Sequence, residues 1–95
     1  MAASLRQAAS KGKIDVVREL LEHADENVVE TRNSLGTTPL MCAAYFGEKE
    51  VCRLLLGANA NPNSTSYDGY TAADWAEQGD HKDLAAWLRN RTGRK

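Results

Sequence analysis

Few side chains in this sequence have the types and spacing that catalysis or metal binding requires. The only histidines, His23 and His81, have no cysteine or carboxylate partner at the spacing of a metal site. No serine has a base at nucleophile-elbow spacing, and no glycine-rich phosphate loop is present. Asp74 and Glu77 lie one helical turn apart, but helix capping explains the first and solvation the second. The sequence therefore predicts no catalytic residue, no cofactor and no metal site.

The two cysteines, Cys42 and Cys52, are too few for a disulfide scaffold. Both fall at core positions of predicted helices, where buried cysteine behaves as a small hydrophobe. We expect both to be core thiols that do not form a disulfide.

Composition restricts the class of protein further. The chain has 95 residues, a formal net charge of −1 and 42% hydrophobic residues, as expected for one globular domain. Such a charge gives no bulk attraction to nucleic acid or to an anionic membrane. No apolar run approaches the roughly 20 residues of a membrane span, and the N-terminal sequence MAASLRQAASKGK lacks the apolar core of a secretory signal. We expect an intracellular, monomeric protein.

An internal repeat runs through the sequence. GTTPLMCAA begins at Gly36 and GYTAADWAE at Gly69, an offset of 33 residues. A further copy lies upstream, where LRQAASKGKIDVVRELL from Leu5 aligns with LMCAAYFGEKEVCRLLL from Leu40 at an offset of 35. The two extra residues fall in the polar stretch ADENVVETRN, where a loop accommodates an insertion at low cost.

The middle copy, with G-T-T-P-L-M-C-A-A-Y-F-G, V-C-R-L-L-L and N-A-N-P-N, resembles the ankyrin repeat in period and signature. Four residues depart from the family pattern. Met41 and Asp74 replace its usual histidine, Ala73 its leucine and Asn59 its glycine. The resemblance covers nearly the whole chain and implies an all-α solenoid of stacked helix-turn-helix units with short projecting β-turn loops. His81 falls in the family's Gly-His position, which implies a structural role.

Local signals agree with two short helices per repeat. Thr38 followed by Pro39, and Thr71 with Asp74 three residues later, are typical helix starts. Asn59 suits a left-handed helix end, although Gly57 is a competing stop. We expect repeat 1 at about 3–32, repeat 2 at about 33–65, repeat 3 at about 66–92 and a tail at 93–95. Polar residues at outer positions, Glu19 and Arg89 in place of Leu54 and Leu56, predict capped ends and a nearly complete domain.

The resemblance implies a binding surface on the finger loops and on the exposed side of the first helices. Four of the six aromatic residues of the chain fall in this set, and rigid exposed aromatics are typical of binding hot spots. Trp75 and Trp87 are instead assigned structural roles. The predicted partner-binding residues are Ser10, Lys11, Ser34, Leu35, Thr37, Tyr45, Phe46, Tyr67, Asp68, Tyr70 and Gln78.

These observations lead to two hypotheses about function. The first is a protein-interaction module, whether an adaptor, a scaffold or a stoichiometric inhibitor, that holds a protein or peptide on its concave face. The second is a nucleic-acid-associated protein that uses its basic C-terminal tail, which consists of Arg89, Arg91, Arg94 and Lys95. The basic tail also suits a solvated cap that complements the negative end of the last helix. An enzyme is not predicted.

Overall fold

The predicted pairs of short helices are present. A computed structural model describes residues 5–23 and 26–91 and contains, within these ranges, six α-helices and no β-strand. The first helices of the three pairs are α1, α3 and α5, and the second helices are α2, α4 and α6. Their bounds are Leu5–Ser10 for α1, Ile14–His23 for α2, Pro39–Tyr45 for α3, Lys49–Gly57 for α4, Ala72–Gln78 for α5 and Lys82–Asn90 for α6. The predicted tail at 93–95 lies outside the described residues.

The two predicted helix starts are confirmed. The Thr38 hydroxyl accepts a hydrogen bond from the Met41 amide (3.3 Å), and Pro39 occupies the first turn of α3. The Thr71 hydroxyl likewise accepts from the Asp74 amide (3.3 Å), and the Asp74 carboxylate accepts from the Thr71 amide (3.1 Å). These bonds satisfy amide groups that a helix leaves unpaired at its first turn.

Among the described residues, left-handed backbone occurs at two positions other than glycine. Asn59 follows the end of α4 with φ 73°, as predicted, and Gly57 is the last residue of the helix but does not adopt a positive φ. Asp80 has φ 68° at the position that Gly12 and Gly47 hold in the earlier repeats. The Glu48 carboxylate lies over Gly12 and the His81 ring over Gly47, so a side chain at either glycine would meet the next repeat. Asp80 is exposed in the last repeat, where its side chain has room.

The core differs between the two helix layers. The first helices contribute mainly alanine, and the second helices contribute larger aliphatic side chains such as Val17, Leu55 and Leu88. Helices α1, α3 and α5 consequently pack closely on one another, whereas α2, α4 and α6 stand farther apart. Because the stack is narrower on the side of the first helices, that side is concave. The buried alanines of the first helices are Ala8, Ala9, Ala43, Ala44, Ala72, Ala73 and Ala76.

The fingers are tight turns at the predicted glycines. In the second repeat Gly36 donates to the Asn33 carbonyl (3.0 Å), and in the third Gly69 donates to the Ser66 carbonyl (2.8 Å). The fingers are joined side by side by a backbone hydrogen bond from Tyr67 to the Leu35 carbonyl (3.2 Å). They therefore project as one linked unit.

The connection between the first two repeats is more ordered than its polar sequence suggests. Residues Glu26–Glu30 form a 3-10 helix, and Val29 is buried against the core. The Glu30 carboxylate accepts hydrogen bonds from the Asn61 amide (2.7 Å) and the Ser64 hydroxyl (3.1 Å). Through Glu30, the segment between α2 and α3 is thus hydrogen-bonded to the segment between α4 and α5.

Gly36 and Gly69 form a matched pair for testing the finger geometry. Both have positive φ, 81° and 89°, but only a β-carbon at Gly36 would meet neighbouring atoms, namely Tyr67 Cδ1 at 2.6 Å and the Tyr67 amide nitrogen at 2.8 Å. We expect Gly69→Ala to lower the free energy of unfolding by about 1 kcal/mol through backbone strain alone. Gly36→Ala should cost about 3 kcal/mol because overpacking is added. Urea melts of both variants check this, and equal losses would contradict the packing of the two fingers.

Candidate functional site

The candidate site lies on the concave side, where four aromatic rings form a continuous row across the second and third repeats. Phe46 and Tyr45 are 5.0 Å apart between ring centroids, Tyr45 and Trp75 5.9 Å, and Trp75 and Tyr70 5.6 Å. Each pair is edge-to-face, with interplanar angles of 74–87°, which is a favourable geometry for aromatic rings. We call Phe46, Tyr45, Trp75 and Tyr70 the aromatic row.

Local structure explains how residues from two repeats meet in the aromatic row. Tyr45 is the last residue of α3, and Trp75 lies on α5 facing the preceding repeat. Gly79, at the end of α5, lies against the Tyr45 carbonyl, and a β-carbon there would overlap that oxygen. The contact between Tyr45 and Trp75 therefore depends on this close approach of the two helix ends.

Most of the predicted binding residues are accessible on the concave side or the fingers. Tyr67 is 73% exposed, Leu35 60% and Phe46 54%. Ser10 is half-buried, with its hydroxyl donating to the Gln7 carbonyl (2.9 Å). The structure places the remaining members at exposed positions: Lys11, Ser34, Tyr45, Asp68, Tyr70 and Gln78.

Thr37 is the exception, and its assignment to the accessible surface is wrong. It is only 8% exposed because its backbone closes the finger, where its amide donates to the Asn33 side chain (3.0 Å). Its side chain interacts with the Cys42 thiol inside the repeat. Thr37 is therefore not available for direct contact with a partner.

Sequence reasoning missed Trp75 as a member of this surface. Its indole nitrogen is buried and has no hydrogen-bond partner among the described residues, which fits a structural role, but its ring joins Tyr45 to Tyr70. A signal was available, because Trp75 aligns with Cys42. Cys42 and Tyr45 are three residues apart and share one face of a helix. A large side chain at the position of Trp75 can therefore reach the residue at the position of Tyr45 in the preceding repeat.

The C-terminal end of the stack is charged rather than apolar. Arg89 forms ion pairs with Glu77 (3.0 Å) and Asp74 (3.2 Å), and its two hydrogen bonds with Glu77 lower the pKa of that carboxyl. In the second repeat the three corresponding positions hold Met41, Ala44 and Leu56. Arg89 is therefore neutralised by neighbouring carboxylates, and Arg94 and Lys95 of the predicted basic tail lie outside the described residues.

The cysteines differ in burial. Cys52 is fully buried, and desolvation, with a smaller effect of the Glu48 charge, raises the pKa of its thiol to about 12. Cys42 is only half-buried, which corrects its assignment to the core. Burial also raises the pKa of Cys42, partly offset by a hydrogen bond with Thr37 and by the charge of Arg6. Both are free thiols.

Other classes of site lack a structural basis in the described part of the chain. No group of three or more histidine, cysteine or carboxylate side chains within residues 5–23 and 26–91 could hold a metal ion. None of the helices in these ranges is long and apolar enough to cross a bilayer.

Sequence comparison identifies the family. The profile described as "Ankyrin repeats (3 copies)" matches residues 5–94. The chain belongs to the ankyrin-repeat family. It is 36% identical over 87 residues to diacylglycerol kinase zeta of Rattus norvegicus, covering 92% of this chain and 9% of the kinase. It is also 47% identical over 58 residues to the espin-like protein of Homo sapiens, covering 61% of this chain and 6% of that protein. The human DNA-binding protein RFXANK is 36% identical over 76 residues, covering 80% of this chain and 29% of that protein.

The chain thus spans less than a third of the length of each of these relatives. The matches with diacylglycerol kinases lie in their ankyrin repeats and not in the kinase domain. The ankyrin-repeat fold is typically non-catalytic, so the likeness to these enzymes concerns the repeats alone.

The close approach at Gly79 can be tested against Gly57, a glycine of the same fold with no atom near its missing β-carbon. We expect Gly79→Ala to lower the free energy of unfolding by about 1–3 kcal/mol, because the Tyr45 backbone must shift. Gly57→Ala should be neutral or stabilise by up to about 1 kcal/mol, since alanine favours a helix. Urea melts measure the free energy of unfolding of both variants. A neutral Gly79→Ala would contradict the contact between α3 and α5.

The two thiols should differ in reactivity. We expect N-ethylmaleimide to modify Cys42 at least about tenfold faster than Cys52 in native buffer near pH 8, because the thiolate is the nucleophile and Cys52 stays protonated and buried. The protection of Cys52 by its raised pKa should fall only as the pH rises toward about 12. Mass spectrometry of Cys42→Ala and Cys52→Ala measures each site separately. Equal rates for both would mean that the buried face of α4 is assigned wrongly.

Proposed function

We propose that this chain binds a partner protein or peptide on its concave face, through the aromatic row and the adjoining fingers. Ankyrin repeats are generally protein-interaction modules. The aromatic row is the observation that favours the concave face. Its four rings come from two repeats and pack edge to face, and three of them are exposed. Preorganised aromatic side chains lose little conformational entropy on binding, which makes them effective anchors.

The surroundings of the aromatic row suit a protein partner. The predicted binding residues carry only two charged side chains, Lys11 and Asp68, one at each end of the surface. Aromatic anchors bordered by small polar groups such as Ser34 and Gln78 are typical of protein interfaces. An adaptor, a scaffold and a stoichiometric inhibitor all require only such a rigid patch.

A nucleic-acid function has less support. One relative is named a DNA-binding protein, and the tail of this chain is basic. Arg89, however, is held by Asp74 and Glu77, and the aromatic row contains no cation. The aromatic row therefore lacks the positive charge that phosphate contacts need.

The proposal can be tested with a variant that removes two aromatic rings without touching the core. Phe46 and Tyr67 are each more than half exposed, so Phe46→Ala with Tyr67→Ala should change the free energy of unfolding little. Tyr45 and Tyr70 are less suitable because their rings pack on Trp75. Proteins captured from a lysate by the unmodified chain are identified by mass spectrometry and titrated by calorimetry. We expect the double variant to weaken the Kd about a hundredfold or more, at about 2 kcal/mol for each hot-spot residue.

A control variant, Arg18→Ala with Glu22→Ala, removes two exposed side chains from α2. It should bind the same partner with unchanged Kd. If both variants bound the partner with the same Kd as the unmodified chain, the binding surface would lie elsewhere.

A further inference from the structure

A second surface of distinct chemistry lies on the convex side, between α4 and α6. Trp87 on α6 faces α4 at the position that Leu54 holds in the second repeat. Its ring lies close to three cations: the Arg91 guanidinium carbon is 4.4 Å from the ring centroid, the Lys49 ammonium 5.3 Å and the Arg53 guanidinium carbon 5.8 Å. Cations at these distances are attracted to the face or edge of an indole ring.

Helix register brings these groups together. Lys49 and Arg53 are four residues apart on α4, and Trp87 and Arg91 are four residues apart at the end of α6, so each pair lies on one helix face. Beside them is an open recess of about 250 Å³. We call this recess the Trp87 cleft, and its lining residues are Arg53, Leu56, Gly57, Trp87 and Arg91.

The cations of the Trp87 cleft are poorly neutralised. Arg53 approaches Glu50 at 3.7 Å, but both side chains are 56% exposed, and such surface pairs contribute little. Lys49 and Arg91 form no ion pair with any residue of the described ranges. Arg89, two residues before Arg91, is in contrast held by two carboxylates. The recess itself is therefore lined by two cations and no carboxylate, and the nearest carboxylates are Glu50 beside Arg53 and Asp83, which lines a neighbouring recess with Lys49.

We propose that the Trp87 cleft binds an acidic segment of a partner protein. Carboxylates of the segment would pair with Arg53, Arg91 and Lys49, and one apolar side chain would enter the recess between Leu56 and Trp87. Gly57 favours this occupant because nothing lies within 4 Å of its missing β-carbon, so a peptide backbone can approach closely. Guanidinium groups already stacked on an indole lose less side-chain freedom when they bind a carboxylate.

A protein segment fits the Trp87 cleft better than a nucleic acid does. A phosphodiester chain gains affinity by neutralising several phosphates along a basic track, whereas here three cations surround a single ring. The Trp87 cleft offers one recess bordered by cations, which suits a single apolar side chain flanked by carboxylates.

The test uses the intact chain and a fluorescein-labelled peptide of sequence Gly-Glu-Glu-Leu-Glu-Glu-Gly. We expect a saturable change in fluorescence anisotropy that weakens as salt is added. A peptide with glutamine in place of each glutamate should bind at least about tenfold more weakly. Arg53→Gln with Arg91→Gln should also weaken the Kd at least about tenfold, through lost charge pairing.

Arg18 provides a matched control. It aligns with Arg53 at the repeat offset of 35 and is likewise exposed on a second helix, but no tryptophan lies beside it. Arg18→Gln should leave the Kd unchanged. Trp87→Leu, which copies Leu54, should weaken binding severalfold, and a urea melt establishes that this variant is folded.

The proposal would be overturned by no saturable binding of the acidic peptide, by an equal loss of affinity in Arg18→Gln, or by tighter binding of an oligouridine than of the peptide. Tighter binding of the oligouridine would make this surface a nucleic-acid site. Phe46→Ala with Tyr67→Ala, on the opposite face, should bind the acidic peptide normally. If that variant lost the peptide, the peptide would occupy the concave face and the Trp87 cleft would be excluded.

Discussion

The close packing of α1, α3 and α5 is the constraint on which the rest of the structure depends. Alanine at buried positions of the first helices, such as Ala9 and Ala44, lets neighbouring first helices pack closely on one another. A larger residue at these positions would push the repeats apart and expose the aliphatic side chains of the second helices. Because no single repeat can bury its own apolar face, this contact determines whether the domain folds.

The same constraint produces two surfaces of different character. Where the first helices are close, a ring on one repeat reaches a ring on the next, as Trp75 reaches Tyr45. Where the second helices diverge, a wider gap opens, and Trp87 occupies it with cations on its exposed side. The concave face therefore carries the aromatic row, whereas the convex face combines one indole with three cations.

The third repeat carries charged residues at positions that are glycine or apolar in the second repeat. Asp80 adopts a left-handed conformation where the earlier repeats have glycine, and its side chain is exposed. Asp74, Glu77 and Arg89 replace apolar residues of the second repeat and satisfy one another by ion pairing. Charges at this end remain partly exposed to water and so avoid the cost of burial.

The sequence by itself determined the repeat period, the paired helices and the backbone features that belong to single residues. Pro39 after Thr38 starts a helix, Asn59 ends one, and Gly36 and Gly69 form the finger turns, because each effect arises from the conformational preference of the residue and its neighbours. The aromatic character of the fingers and of α3 was also visible in the sequence. Local preferences of this kind need no knowledge of how the repeats pack.

Only the tertiary structure decided which side chains are accessible and which of them meet. The burial of Thr37, the half-exposure of Cys42 and the position of Trp75 between Tyr45 and Tyr70 all depend on the distance and angle between adjacent repeats. Val29 likewise became a core residue because the 3-10 helix folds back onto the stack. The sequence pattern assigns a residue to one face of its own helix. The distance between adjacent repeats determines whether the neighbouring repeat buries that face.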